Sequence, residues 1–204
     1  KKRAGGALEP FHTARYEIEE KRGEVWTLHS AEIARVRTKL ATDLTRMEHA
    51  GTLMRAVRAL APPRTPEPNA YATLTSALDA LEHPESASVS SRVVFIACAF
   101  ELLANFGYAL DFSRCVVCGN ARPEQRTCVV DPVSGGVVCS SCRLSLPAQT
   151  KLGRVPPSYC NVFSAHLPFE ARLASLAALA DPGAEEALVR LAALALEHHA
   201  GMRE

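Results

Sequence analysis

The sequence has no long apolar run and little excess charge of either sign, and each absence excludes a class of protein. No apolar stretch approaches the roughly 18 residues that a bilayer-spanning helix needs, and no charged-then-apolar leader opens the chain. The formal net charge is +1, which argues against indiscriminate binding to polyanions. We therefore expect a soluble cytoplasmic protein with no membrane contact.

Motifs typical of catalysis are missing as well. The sequence contains no Gly-rich phosphate loop, no Gly-x-Ser-x-Gly elbow and no His-Glu-x-x-His pair. His198 and His199 are adjacent, but neighbouring residues on a helix point about 100° apart. They predict a polar helix end, where cations are favourable, rather than a metal site. We expect no enzymatic activity, no catalytic residue and no small-molecule substrate.

Cysteine, by contrast, occurs in a pattern typical of a metal site. Four cysteines form two Cys-x-x-Cys pairs separated by residues 119–138: Cys115, Cys118, Cys139 and Cys142. This spacing suits four thiolates around one Zn²⁺, and a site with four protein ligands leaves no position for substrate. We predict one structural zinc. The alternatives are chance pairing, a thioredoxin-type redox pair, or replacement of one ligand by Cys128.

Hydrophobic periodicity predicts a mainly helical protein with a small β part. Residues 14–31 alternate apolar and polar side chains around a Lys-Arg-Gly-Glu turn, which predicts a hairpin. From Ala31 to Leu60, apolar residues recur at three- and four-residue steps, which predicts one helix up to Pro62.

Further helices are expected along the rest of the chain. Residues 88–110 are hydrophobic nearly all round, so we expect them to form the central helix of a bundle. The Pro-rich segment 145–168 is expected to be irregular. The other predicted helices cover 71–83, 169–180 and 184–200.

Positive charge is concentrated in the first third of the chain. Residues 1–60 hold 12 Lys and Arg against 8 Asp and Glu, so a phosphate-contacting surface is expected there. The candidates are Lys1, Lys2, Arg3, Arg15, Lys21 and Arg22. A solvated face is the alternative, because acidic residues are interleaved with these. Tyr16 and Trp26 are candidates for base stacking, with core packing as their alternative.

Four stretches of the chain are similar, in order, to one known family. The first is 7–33, through Leu8, Pro10, Phe11, Gly23, Thr27, Leu28, Ala31 and Glu32. Residues 99–119 run from an apolar helix into Cys-x-x-Cys-Gly, residues 129–142 place a Pro-Val-Ser-Gly-Gly turn before the second cysteine pair, and residues 196–204 read Leu-Glu-His-His. The family that these motifs resemble is RecO, the bacterial recombination mediators. Residues 147–168 depart from its pattern.

The resemblance implies an architecture of three parts. It implies the C-terminal part of an OB-fold over 1–31, a zinc finger over 113–146, and an α-helical domain split between 32–112 and 147–204. The chain opens on Lys1 without a methionine, and the first OB-fold strands have no counterpart in it. We therefore expect an N-terminal portion of the natural protein to precede Lys1.

The resemblance also implies a function without catalysis. RecO-like proteins bind single- and double-stranded DNA, anneal complementary strands and, with RecR, help RecA load onto DNA coated by single-strand-binding protein. Their DNA contacts lie mainly on the OB-fold, which favours the six basic candidates above. A bacterial, nucleoid-associated protein is implied. The alternative is a zinc-stabilised protein-interaction scaffold without direct DNA binding.

Overall fold

A computed structural model describes residues 5–20, 26–83 and 89–201. Its strands are β1 (Thr13–Glu20), β2 (Trp26–Arg35), β3 (Cys128–Asp131), β4 (Gly136–Val138) and β5 (Gly153–Val155). Its α-helices are α1 (Leu44–Leu60), α2 (Pro68–Glu82), α3 (Ser91–Asn105), α4 (Ser140–Arg143), α5 (Pro157–Ser164), α6 (Phe169–Leu179) and α7 (Pro182–Ala200). The predicted fold class, mainly α with a small β part, is confirmed.

Strands β1 and β2 form the predicted antiparallel hairpin, but β2 is longer than expected. We expected a helix from Ala31, and that prediction was wrong because Ala31 and Ile33 pair with Tyr16 and Ala14 across the hairpin. Apolar residues at three- and four-residue steps therefore occur here in a strand as well as in α1, and this spacing alone did not locate the start of the helix. Helix α1 starts only at Leu44.

A buried arginine joins the hairpin to the helices. The side chain of Arg37 is only 1% exposed, and its guanidinium group pairs with the carboxylate of Asp79 on α2 at 2.6 Å. The same guanidinium donates to the carbonyl oxygen of Phe11 at 2.7 Å and to the hydroxyl of Thr13 at 2.9 Å. The charge is thus both paired and hydrogen-bonded, as a buried ion requires.

A second carboxylate of α2 holds the segment that follows Arg37. Glu82 lies one helical turn after Asp79 and is buried. It accepts hydrogen bonds from three backbone N–H groups, at 3.1, 3.0 and 2.7 Å, those of Thr38, Lys39 and Leu40. Burial opposes ionisation of Glu82, but these bonds lower the pKa of its carboxyl group. Helix α2 therefore fixes where the hairpin leaves the helical body.

Helix α3 is the centre of the helical body, as its all-round apolar sequence predicted. Ten of its residues from Val93 to Leu103 are buried, and it packs on α1, α2, α6 and α7. It is shorter than the predicted 88–110, because Ser90 caps its N-terminus by accepting from the Val93 N–H group and the helix ends at Asn105. Within the described ranges, no helix is both long and apolar enough to cross a membrane.

The second sheet, in the order β4-β3-β5, includes a strand where none was expected. Segment 145–168 was predicted to be irregular, yet it contains β5 and α5, so that prediction was wrong. Gly153 of β5 packs so tightly on α7 that an added Cβ would lie 2.8 Å from the side chain of Leu191. On α5, Phe163 packs against Phe100 with ring centroids 4.8 Å apart. These long-range contacts order the segment. The division of the chain at residues 113–146 stays a prediction.

The two predicted C-terminal helices are present as α6 and α7, with Asp181 between them. The carboxylate of Asp181 accepts from the Ala184 N–H group at 3.0 Å and so caps α7. At the other end of α7, His199 stacks on Tyr108 and lies 3.3 Å from the carbonyl oxygen of Pro132 in the β3–β4 turn. The two histidines therefore stand at a helix end, and one of them contacts the turn between β3 and β4.

Candidate metal centre

The structure brings together the two Cys-x-x-Cys pairs that the sequence singled out. The Sγ atoms of all four residues lie within 4.8 Å of one another: Cys115, Cys118, Cys139 and Cys142. The Sγ atoms of Cys118 and Cys139 are 3.8 Å apart. Two sulfurs bound tetrahedrally to one zinc at about 2.3 Å would be about 3.8 Å apart, whereas a disulfide needs about 2.05 Å. The donor set and its spacing fit a Zn²⁺ ion.

A tight turn positions the first cysteine pair. Gly119 has φ of 75°, a conformation that glycine adopts without strain. Its N–H group donates to the carbonyl oxygen of Cys115 at 2.8 Å, and the Cys115 N–H group donates to the carbonyl oxygen of Asn120 at 2.8 Å. The chain thereby folds back on itself and points both thiols to the same side.

The second pair follows strand β4, which lies against the first turn. The N–H group of Val116 donates to the carbonyl oxygen of Val137 at 2.9 Å. Gly136 allows this approach, since a Cβ there would lie 2.3 Å from the backbone oxygen of Asp111. Next along the chain, the Cys139 N–H group donates to the Cys115 Sγ at 3.4 Å. Backbone hydrogen bonds therefore link the two pairs without any metal.

The thiols of Cys115 and Cys142 differ in their acidity. Burial raises the pKa of Cys115, but N–H groups of Cys139, Cys118 and Val117 outweigh it and lower the pKa to about 6. Hydrogen bonds with Cys139 and Cys118 raise the pKa of Cys142 to about 12. The Cys115 thiolate thus forms readily, whereas the Cys142 thiol resists ionisation. A divalent cation at the centre would remove that resistance and favour all four thiolates.

The alternatives to a four-thiolate metal site fit the structure less well. Cys128 lies outside the cluster and is buried, with its thiol 3.5 Å from the carbonyl oxygen of Arg126. A thioredoxin-type pair would open a helix after a strand of a βαβ unit. Cys115 and Cys118 lie in a turn, and Cys139 precedes only the four-residue helix α4 after an antiparallel strand.

The six predicted DNA-contacting residues all belong to the first 22 residues of the chain. Lys1, Lys2, Arg3, Lys21 and Arg22 lie outside the described residues. Arg15 is exposed on β1, opposite Glu32 of β2.

The two aromatic candidates stand on the same hairpin. Tyr16 and Trp26 are 43% and 44% exposed, so neither is a core residue. The hydroxyl of Tyr16 donates to the carbonyl oxygen of Ala7 at 2.6 Å.

Sequence reasoning missed a group of arginines beside the cysteine cluster. Arg122, Arg126 and Arg143 all line a cavity that also touches Cys115 and Cys139. The finger segment 113–146 contains only two acidic residues, and the local excess of arginine was the available signal. The net charge of the whole chain, +1, does not reveal this local excess of arginine.

The chain is similar to proteins of one family along its whole length. The profile described as "Recombination protein O C terminal" matches residues 41–153. A DNA repair protein RecO of Anaeromyxobacter sp. (strain K) is 31% identical over 209 residues, which cover 100% of this chain and 77% of that protein. The RecO protein of Myxococcus xanthus is 33% identical over 144 residues, 70% of this chain and 56% of the relative.

A third relative gives the same result. The DNA repair protein RecO of Geobacter sulfurreducens is 31% identical over 141 residues, which is 69% of this chain and 56% of the relative's length. The matched part thus spans between about half and three quarters of these relatives. The family profile and the full-length similarity together show that the chain belongs to the RecO family of DNA repair proteins.

Proposed function

We propose that this protein is a DNA-binding recombination mediator that acts without catalysing a reaction. The observation that carries the proposal is the similarity over the entire chain to proteins named DNA repair protein RecO. In this role it binds single- and double-stranded DNA, anneals complementary strands and, with RecR, helps RecA load onto DNA coated by single-strand-binding protein. Its place of action is the bacterial cytoplasm, at the nucleoid.

The proposed cofactor is one structural Zn²⁺ held by the four clustered cysteines. Cys115, Cys118, Cys139 and Cys142 would hold it, and the chemistry it supplies is charge neutralisation and cross-linking of the two turns. Support comes from the mutual proximity of the four sulfurs. With four protein ligands, such a site has no open position for a reactive water.

The proposed mechanism follows from the charge of DNA. Annealing requires two polyanionic strands to approach each other, so the protein must offset phosphate repulsion without reading sequence. The proposed contacts are the basic residues at the N-terminal end: Lys1, Lys2, Arg3, Arg15, Lys21 and Arg22. The exposed rings of Tyr16 and Trp26 would add base stacking.

A protein-interaction scaffold without direct DNA binding is the second candidate. The hairpin favours it, because Tyr16, Ile18, Leu28 and Ile33 are each at least 39% exposed. Ile18 pairs directly with Leu28, so their side chains share one face. Clustered exposed apolar side chains are typical of protein contacts.

Titration of DNA at two salt concentrations separates the two candidates. A mediator should bind single-stranded DNA in a gel-shift assay, and binding should weaken steeply between 50 and 200 mM salt, by about tenfold or more. Absence of salt-sensitive binding would count against the proposal and favour the scaffold. Annealing of two complementary labelled strands, with and without the protein, then tests the activity itself.

A further inference from the structure

A cavity of about 210 Å³ adjoins the cysteine cluster and has three arginines among its lining residues. The residues that line it include Cys115 and Cys139 together with three arginines, Arg122, Arg126 and Arg143. Among the residues that the structure describes, no Asp or Glu forms part of this wall. The cavity is therefore a local concentration of positive charge in a chain of almost neutral net charge.

The three arginines have different partners. Arg122 donates to the side-chain oxygen of Asn161 on α5, so it fixes the finger to the helical body. Arg126 and Arg143 are exposed, and their side chains have no hydrogen-bond or ion-pair partner within residues 5–20, 26–83 and 89–201. Two guanidinium groups at the cavity are thus free to bind an added group.

A fourth arginine extends the positive surface along the sheet. Arg154 of β5 pairs with Val129 of β3, and Val129 also lines the cavity. Directly opposite residues in an antiparallel pair project from the same face. Arg154 is exposed, so its charge continues the surface from the cavity across the outer face of the finger.

Neutralising the thiolates is the other role that arginines here could have. Four thiolates around one divalent ion carry a net charge of about −2. Arginines that serve this purpose by contact would donate to sulfur, yet within the described residues no arginine donates to a cysteine Sγ, and the N–H groups that act on the Cys115 Sγ belong to the backbone. The open guanidinium groups are better explained by an anion from solution.

We propose that this cavity binds a backbone phosphate of a nucleic acid, with Arg126 and Arg143 as the donors. Guanidinium groups match the geometry of phosphate oxygens and can bind two of them at once. Such a contact carries no sequence preference, as annealing requires. The inference rests on the proposed DNA-binding function and extends it to the finger, far along the chain from the basic residues at the N-terminal end.

The test removes both free charges and follows the salt dependence of DNA binding. The zinc-loaded full chain and its Arg126→Gln/Arg143→Gln variant are titrated with a fluorescent single-stranded oligonucleotide at several salt concentrations. The slope of log affinity against log salt should become shallower by about 0.7, which is the contribution of the one single-strand phosphate that the cavity is proposed to hold. Affinity at 0.1 M salt should fall about tenfold.

A matched control removes two arginines elsewhere. Arg55 and Arg58 are exposed on α1 and do not line the cavity, so Arg55→Gln/Arg58→Gln changes the net charge equally at another place. It should change affinity by no more than about twofold and keep the slope. Arg126→Lys/Arg143→Lys should retain most of the slope. Zinc content and circular dichroism verify that each variant is folded. If Arg143→Gln disturbs the neighbouring Cys142, then Arg126→Gln alone should give about half the slope change.

Three outcomes would overturn the inference while leaving the proposed function in place. In the first, Arg126→Gln/Arg143→Gln leaves the salt slope and the DNA affinity unchanged. In the second, Arg55→Gln/Arg58→Gln lowers the DNA affinity as much as Arg126→Gln/Arg143→Gln does. In the third, Arg126→Gln/Arg143→Gln loses binding to a polyglutamate peptide but binds DNA as the unmodified chain does. The last would make the cavity a site for protein carboxylates. If the unmodified chain does not bind DNA at all, the proposed function and the inference both fail.

Discussion

The two small sheets of this molecule are held to the helical body in different ways. The hairpin β1–β2 leaves apolar side chains such as Ile18 and Leu28 exposed by 40% or more. The sheet of the finger buries Val130, Val137 and Val155 to 2% exposure or less. The finger sheet therefore gains stability from apolar burial, whereas the hairpin has little of it and depends on polar contacts at its base.

The difference shows that a few polar contacts can hold a two-stranded hairpin against a helical body. At the base of the hairpin, Arg37 pairs with Asp79, and Glu82 binds the backbone of the next three residues. The finger is fixed by its packed strands and by the cysteine cluster. We therefore expect substitution of Arg37 or Glu82 to open the hairpin alone, and loss of the metal to unfold the finger alone.

The largest effect is expected from removing two cysteines. Cys115→Ser with Cys118→Ser should abolish zinc binding and with it a free energy of the order of 10 kcal/mol, so the finger should unfold. Metal analysis and hydrogen exchange of residues 113–146 measure this. Cys128→Ser is the matched control, since Cys128 lies outside the cluster and the variant should keep one zinc per chain. Loss of zinc in that control would contradict the assignment of the ligands.

The second effect concerns the hairpin. Arg37→Leu leaves the carbonyl oxygen of Phe11 and the carboxylate of Asp79 without their buried donor, and should lower the free energy of hairpin opening by about 2–3 kcal/mol. Arg35→Leu is the control, because Arg35 binds the same carboxylate from a side chain that is 59% exposed and should matter by less than about 1 kcal/mol. Hydrogen exchange of β2 gives both values. Equal effects of the two substitutions would show that burial of Arg37 is unimportant.

A smaller effect should depend on pH. The pKa of Glu82 is lowered in the folded protein from its ordinary value of 4.5, so its contribution is present above that value and is lost as pH falls through the folded pKa. At pH 7, Glu82→Gln should cost about 1–3 kcal/mol. The difference from the unmodified protein in urea unfolding should shrink as pH is lowered below about 4.5. A difference that is constant with pH would contradict this role.

The smallest effect is expected on the exposed face of the hairpin. Ile18→Thr should change stability by no more than about 0.5 kcal/mol. Val130→Thr in the finger should cost about 1–3 kcal/mol, because it places a hydroxyl group in a fully buried position. Urea unfolding of both variants makes the comparison. If Ile18→Thr were as costly as Val130→Thr, the hairpin face would be covered in solution.

Local patterns predicted those parts of the fold that are formed by neighbouring residues. The alternation in 14–31 gave the hairpin, the apolar run gave α3, and the break at Asp181 gave the two last helices. The spacing of the cysteines likewise predicted a cluster that the structure assembles. In each of these, local hydrogen bonding and the sequence pattern favour the same structure.

The features that the sequence did not predict depend on distant partners. Residues 31–35 begin the run of apolar residues that predicted a helix up to Leu60, but they pair with β1 instead. Strand β5 exists because β3 and Leu191 of α7 are beside it. The pairing of Arg37 with Asp79 spans 42 residues along the chain, and only the folded chain places Arg126 and Arg143 at one cavity.

Hydrogen exchange before and after removal of the metal tests the central claim most directly. The purified chain should contain one zinc ion, and a chelator should remove protection from the amides of 113–146 and of β5. Amides of α2 and of the hairpin base around Arg37 should keep their protection. Finger amides that stay equally protected without metal, or a well-folded chain purified with no metal at all, would contradict the account.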